Sequence, residues 1–203
     1  MQKKILKNNL IYFIIFFLIA SCSSVPKYPQ NACKIFGEKY FYLKYTKAAS
    51  KKWGVPISSI LAVINKESGF RRFAKPKRTK LFKIIPYRRP SSSLGFSQAI
   101  VKTFDLYKKE NNKPLALRIS FRNSSDFIGW YFWKTNKINK VSLNDTRNMY
   151  LNYYLGWQAY KNKAYQTDKK AIIFAKSVEK QAKIYKSQLQ ECKSVLNKSY
   201  IIF

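Results

Sequence analysis

The chain has no histidine, and only nine of its 203 residues are acidic. The missing imidazole excludes Ser-His-Asp and Cys-His hydrolase sites outright. Its three cysteines are isolated rather than in Cys-x-x-Cys spacing, so no metal site is expected. Six glycines and seven prolines are too few for a collagenous or turn-dominated all-β chain. Long apolar runs are missing too: the stretch 10–20 has eleven residues, too short to span a bilayer comfortably. What is abundant is aromatic and basic. Apolar residues make up 46%, with 15 Tyr, 15 Phe and 4 Trp, enough for one compact domain with a sizeable core. The formal net charge is +31, which points to nucleic acid, an anionic membrane surface or an acidic polymer as partner.

The N-terminus decides between these compartments. Lys3, Lys4 and Lys7 precede the apolar run, as in a signal peptide, and the run ends at Ile19-Ala20-Ser21-Cys22. That ending resembles the bacterial lipobox, in which the cysteine is acylated and becomes the first mature residue. An uncleaved anchor or a plain secretory signal is the alternative. No acid directly follows Cys22, which among Gram-negative lipoproteins implies the outer membrane rather than the inner. The expected location is the periplasmic face of a bacterial membrane, held by an N-terminal lipid. Removing residues 1–21 leaves about +28. Outside the cytoplasm nucleic acid is not an expected partner. The charge then reads either as contact with acidic peptide stems or anionic headgroups, or as a solvated basic surface. Cys33 and Cys192 remain, flanking the whole domain in an oxidising compartment, and are candidates for a disulfide.

Periodicity is dominantly helical. Phe41, Tyr45, Ala48, Ala49 and Trp53 fall at three-to-four spacing over 36–53, with a stop at Gly54 and Pro56. A second helix runs over 60–67, capped by Ser58 or Ser59 and ended by Gly69. Further helices are expected near 99–110, 125–138, 143–160 and 168–195, with Asp126 and Asp145 as helix-start acids. A small hairpin is open within 80–98. The expected fold is mainly α, a single domain of packed helices.

Scarcity of acids narrows the chemistry. Glu38, Asp168, Glu179 and Glu191 read as solvated partners of nearby lysines; Asp105 and Glu110 lie on a Lys-rich helix. Glu67 differs. Ile60, Val63, Ile64 and Glu67 fall at i, i+3, i+4 and i+7, so the carboxylate continues an apolar stripe. Burial there raises its pKa, and a protonated acid near neutrality is what glycosidic cleavage requires. Periodicity alone also allows a Glu swung out at a frayed helix end.

The residues around it resemble the transglycosylase SLT family. Trp53-Gly54-Val55-Pro56 followed by residues 60–70, with Glu67-Ser68-Gly69, is similar to the family's first motif, whose Glu is catalytic. Gly95-Phe96-Ser97-Gln98 is similar to the second, whose glutamine lines the cleft. Residues 151–156, ending Tyr153-Tyr154-Leu155-Gly156, resemble the later motif whose tyrosine approaches the carboxylate. Ser97 and Tyr154 depart from the family's usual Met and Asn, and the basic segment 71–90 lengthens the gap between the first two motifs.

Beside the N-terminal signal peptide (1–21) and lipid-anchored tether (22–32), the family resemblance implies a lysozyme-like SLT domain (33–195), followed by a tail (196–203). It implies Glu67 as the catalytic acid/base on peptidoglycan glycan strands, without metal or cofactor. Substrate contacts are expected from Ser68, Gly95, Ser97, Gln98, Tyr153, Tyr154 and Gly156. Hydrolytic glycosidases pair two carboxylates, and Asp126 is the best second candidate, although it also reads as a cap. A single-carboxylate reaction fits better. Trp130, Tyr131 and Trp133 are candidate sugar-stacking faces, but their helical spacing also suits a core. The segment 71–90 is either an anion contact or a solvated loop. A non-catalytic peptidoglycan binder, a hydrolytic muramidase and a polyanion binder are the competing expectations.

Overall fold

A computed structural model describes residues 25–82 and 84–193; the expected signal segment, Cys22 and the tail 196–203 lie outside them. Eight α-helices are described: α1 (Ala32–Glu38), α2 (Tyr40–Trp53), α3 (Ile57–Ser68), α4 (Val101–Glu110), α5 (Phe121–Asn139), α6 (Thr146–Leu155), α7 (Trp157–Lys161) and α8 (Lys169–Glu191). A short 3₁₀ turn (Ala164–Gln166) precedes α8, and a two-stranded antiparallel hairpin, β1 (Lys80–Leu81) with β2 (Ile85–Pro86), sits between α3 and α4. The expected mainly α, lysozyme-like domain is the one found.

The apolar helix α3 is the centre of this arrangement. Ser58 to Ile64 are all buried in it, because α8 packs on one flank while α2 and α5 pack on others. On α8 the buried stripe is Ala171, Ala175, Val178, Ala182 and Tyr185, at the three-to-four spacing of one helix face. On the other flank α5 offers Gly129 to Trp53 of α2. A Cβ at Gly129 would stand 2.5 Å from Trp53 Cδ1, so the indole can lie against this helix only where a side chain is missing. Trp53 Nε1 then donates to Asp126 Oδ1 at 2.9 Å.

Several expected boundaries shift. The single helix expected over 36–53 is two helices broken at Lys39, and Phe41 and Ala48 are exposed while Leu43, Thr46, Ala49 and Trp53 are buried. The aromatic stripe suggested one face; packing against α5 selected the neighbouring one. Neither Ser58 nor Ser59 caps α3: Pro56 holds that position, and Ser59 Oγ instead shares a 2.7 Å hydrogen bond with Thr146 Oγ1 of α6. Asp126 is not a cap either. Ser120 starts α5, accepting from Asn123 N, and Asp126 lies inside that helix. Asp168, expected on a solvated surface, caps α8 by accepting from Ala171 N. Asp145 does cap α6, Gly54 and Gly69 do end their helices, and the hairpin falls inside 80–98.

The first and last helices of the domain are tied together. Cys33 and Cys192 form a disulfide with Cα atoms 6.1 Å apart, and Ala32 N donates to Gln188 Oε1 at 2.9 Å. The stretch 22–32 is no free tether in its described part, since Pro26 is buried and Pro29 O accepts from Tyr185 Oη. Among the described residues the buried hydrophobic core runs from Ala32 to Tyr185. A chain beginning at Ser23 therefore keeps the whole core and both disulfide partners.

Candidate active site

Glu67 stands one residue before the end of α3, where the buried helix reaches the wall of a cleft of about 400 Å³. Gln98, Tyr131, Tyr153, Tyr154 and Gly156 share that wall, and Ser91, Ser93 and Thr103 add hydroxyl groups. Glu67 Oε1 accepts a 2.7 Å hydrogen bond from Tyr150 Oη. Burial pushes the carboxyl up to about 7, against the opposing pull of the Tyr150 hydrogen bond and the Lys66 charge. The residue keeps partial exposure toward the cleft. An acid half-protonated at neutral pH can give up a proton and take one back at little cost in either direction.

Two ties between α3 and α6 hold this geometry. Ser59 bonds Thr146 at the start of α6, and Glu67 bonds Tyr150 one turn later, so the approach of the two helices is fixed at two points. α6 begins at the Asp145 cap and ends at Gly156. Within it Tyr150, Tyr153 and Tyr154 fall at i, i+3 and i+4, and their rings stack at 6.2 and 6.3 Å from Tyr150.

The tyrosine that touches the carboxylate is thus Tyr150, which the motif comparison did not single out. The i, i+3, i+4 tyrosine pattern would have placed it on the same face. Tyr153 lies close by: burial first, and then the Glu67 charge, hold its phenol protonated, and it donates to Ser97 O at 2.5 Å. Tyr154 is at the cleft rim, packed edge-on against Phe174. Gln98 also lines the cleft. Its backbone adopts a left-handed φ of 48°, and its Nε2 donates to Ala74 O (2.9 Å) and Gly95 O (2.8 Å). Both amide hydrogens are spent on the loop, leaving Oε1 to meet a ligand.

Three expected contacts are not made by side chains facing the cleft. Ser68 is buried and donates to Ile64 O at 3.0 Å, the usual return of a helical serine onto its own backbone, and does not bond Glu67. Ser97 is fully buried with its Oγ unpartnered, and meets the site only through its carbonyl. Gly95, at φ 78°, is needed for packing: a Cβ there would stand 2.1 Å from Arg118 O. Among the candidate stacking faces, Trp130 is core, Trp133 packs on Trp53, and Tyr131 belongs to the core as well as to the cleft wall.

All nine carboxylates lie within the described residues, and of these Glu67 alone lines the cleft. Asp126 is buried elsewhere, in a network that joins Trp53, Tyr107 (2.5 Å), Lys113 and, at 3.8 Å, Lys52. Burial pushes its pKa up, but the hydrogen bonds from Lys113, Tyr107 and Trp53 outweigh this and hold it below the ordinary value. A larger cavity of about 700 Å³ lies between the starts of α3 and α6 and the later part of α8. Its acids, Asp145 and Glu179, are committed to a helix cap and to an ion pair with Lys183.

The helical domain, with a carboxyl at the wall of its cleft, is of the lysozyme-like class. The chain belongs within it to the family described as Transglycosylase SLT domain, whose profile matches residues 10–192. Its activity is accordingly of the lytic transglycosylase type, directed at the glycan strands of peptidoglycan. No curated protein matches the chain.

Proposed function

We propose that the protein cleaves the β-1,4 bond between N-acetylmuramic acid and N-acetylglucosamine and leaves 1,6-anhydromuramoyl ends, with Glu67 as sole acid and base. The observation that carries this is the raised pKa of the one carboxyl on the cleft wall. Glu67 gives its proton to the glycosidic oxygen as the bond from C1 breaks, and the N-acetylglucosamine leaves with a free 4-hydroxyl. The positive charge left at C1 is stabilised by the sugar's own acetamido group. Glu67, now a carboxylate held by Tyr150, takes the proton of the C6 hydroxyl, and that oxygen bonds to C1. The proton returns to Glu67 and no water is consumed. Gln98 Oε1 and Tyr154 are positioned to meet the sugar, and Gly156 keeps that stretch of wall open.

Cellular placement is part of the same proposal: residues 1–21 are removed, Cys22 is acylated, and the domain works at the periplasmic face of a membrane, the outer one in a Gram-negative cell. Digestion of purified sacculi by a chain starting at Ser23, beside Glu67→Gln, tests the chemistry. Anhydromuropeptides from the parent alone, identified by mass spectrometry, are the expected outcome. Reducing muramic ends would move the assignment to a hydrolase. Release of nothing by the folded protein would leave a peptidoglycan binder.

A further inference from the structure

The hairpin between α3 and α4 has a composition that the cleft does not use. Leu81, Phe82, Ile84 and Ile85 are all exposed, Phe82 by 81% and Ile84 by 78%. Among the described residues no third strand or helix covers them: β1 pairs with β2, through Lys80 with Pro86 and Leu81 with Ile85. An isolated two-stranded hairpin is marginal in water, so apolar side chains concentrated on one call for a partner. Around this tip lie Lys75, Lys77, Arg78, Lys80, Arg88 and Arg89, all exposed, and the whole segment 71–90 contains no acid. Tyr87, half-exposed with its Oη accepting from Arg88, occupies the boundary between apolar tip and basic collar.

We propose that this hairpin is an interfacial membrane-docking wedge whose partner is a bilayer surface rich in anionic lipid. The apolar tip would enter the acyl boundary while the collar meets the headgroups, with the aromatic phenol at the level where such rings concentrate. The charges match one sign of surface, and the apolar tip separates lipid from the other polyanion at hand, because acidic peptide stems offer nothing for Phe82 and Ile84 to enter. Among the described residues no helix is long and apolar enough to cross a membrane, so the contact is a surface one. The wedge is tied to the cleft: Ala74 O, at its root, accepts from both Gly95 N (2.9 Å) and Gln98 Nε2 (2.9 Å). Docking would therefore hold the cleft wall close to the bilayer. Nothing in this depends on which bond the cleft breaks.

The test uses the chain from Ser23, which lacks Cys22 and keeps the complete core. It is sedimented with vesicles of phosphatidylglycerol and phosphatidylcholine, and with phosphatidylcholine alone, beside the double variant Phe82→Ser/Ile84→Ser. Each deeply inserted side chain multiplies the partition constant about tenfold, and each basic residue near an anionic surface about fivefold. The parent should bind mixed vesicles, bind phosphatidylcholine at least about a hundredfold more weakly, and lose about tenfold or more on mixed vesicles in the double variant. Circular dichroism and melting temperature should be unchanged in that variant, since both side chains already face solvent. No binding of the parent to mixed vesicles overturns the proposal. So does equal binding by the double variant, which would reduce the contact to charge alone. Concentration-dependent dimerisation relieved by the substitutions would assign the tip to a second copy. Retention on sacculi, but not on vesicles, that the double variant loses would assign it to the cell wall.

Discussion

Replacing Glu67 by glutamine should make the protein more stable at neutral and alkaline pH while abolishing its chemistry. The folded state holds the Glu67 proton with a pKa of about 7, against an ordinary value of 4.5. Below pH ~4.5 both folded and unfolded chains carry a neutral carboxyl, and the side chain imposes no electrostatic penalty. As pH rises from there, the unfolded chain ionises first, and stability falls until the folded carboxyl also ionises near pH 7. Above that the loss is complete. At 1.36 kcal/mol per pKa unit it amounts to about 3 kcal/mol. Glutamine has nearly the same shape, never ionises, and offers Tyr150 the same acceptor oxygen. The stability difference, variant minus parent, should be near zero at pH 4.5 and rise to about 3 kcal/mol at pH 8. For a domain of this size that corresponds to a melting temperature roughly 6–12 °C higher. Other titrating groups are shared by both chains and cancel in the comparison. Urea denaturation of both proteins at intervals from pH 4.5 to 8 measures it. A gap that does not change with pH would refute the raised pKa, and with it the reason for choosing Glu67 as the acid.

Three other outcomes follow from named contacts. Tyr150→Phe removes the hydrogen bond that lowers the Glu67 pKa, so the alkaline fall of kcat/KM, expected near pH 7 in the parent, should move to higher pH as the plateau rate drops; a pH–rate profile reads both. Asp126→Asn leaves Lys113 and Lys52 without their carboxylate and, because both ammonium groups keep access to water, should cost about 1–2 kcal/mol by denaturant titration. The lost stabilisation is the part present above the ordinary carboxyl pKa and lost in acid. The folded fraction should still release anhydromuropeptides, and loss of cleavage in fully folded variant would instead make Asp126 a second catalytic acid. Reduction of Cys33–Cys192 opens a loop with a sequence separation of 159 residues, and should lower stability by at most about 5 kcal/mol in thermal melts with and without reductant.

Where local chemistry decides, the helical framework could be read directly from residues. Gly54, Gly69 and Asp145 bound their helices as helix-end and cap preferences require, and the apolar stripe ending in Glu67 became the central helix. Two of the misreadings have a tertiary cause. Ser59 looks like a cap, but its hydroxyl bonds Thr146 from 87 residues away. Asp126 looks like a helix start because Ser124 and Ser125 precede it, but both serines are buried inside α5 and the acid serves Trp53 and Tyr107. Motif similarity located the right loop at 95–98 but could not say which of its atoms face the cleft. Gly95 and Ser97 support the loop from behind, and Gln98 alone reaches the wall.

Glu67 and Asp126 show how one fold gives two partly enclosed carboxyls opposite states. Asp126 receives three side-chain donors, one of them a lysine, and these outweigh the cost of burial, so it remains an anion that ties α2 to α5. Glu67 receives one neutral donor, and its lysine neighbour acts only through its charge, so desolvation prevails and the proton stays. The difference lies in the count of donors as well as in the depth of burial. It predicts that giving Glu67 a second donor would lower its pKa, stabilise the protein above neutrality and slow the protonation step together. An unfavourable, under-bonded carboxyl is thus the condition for the acid, and the chain retains it at the point where α3 meets the cleft.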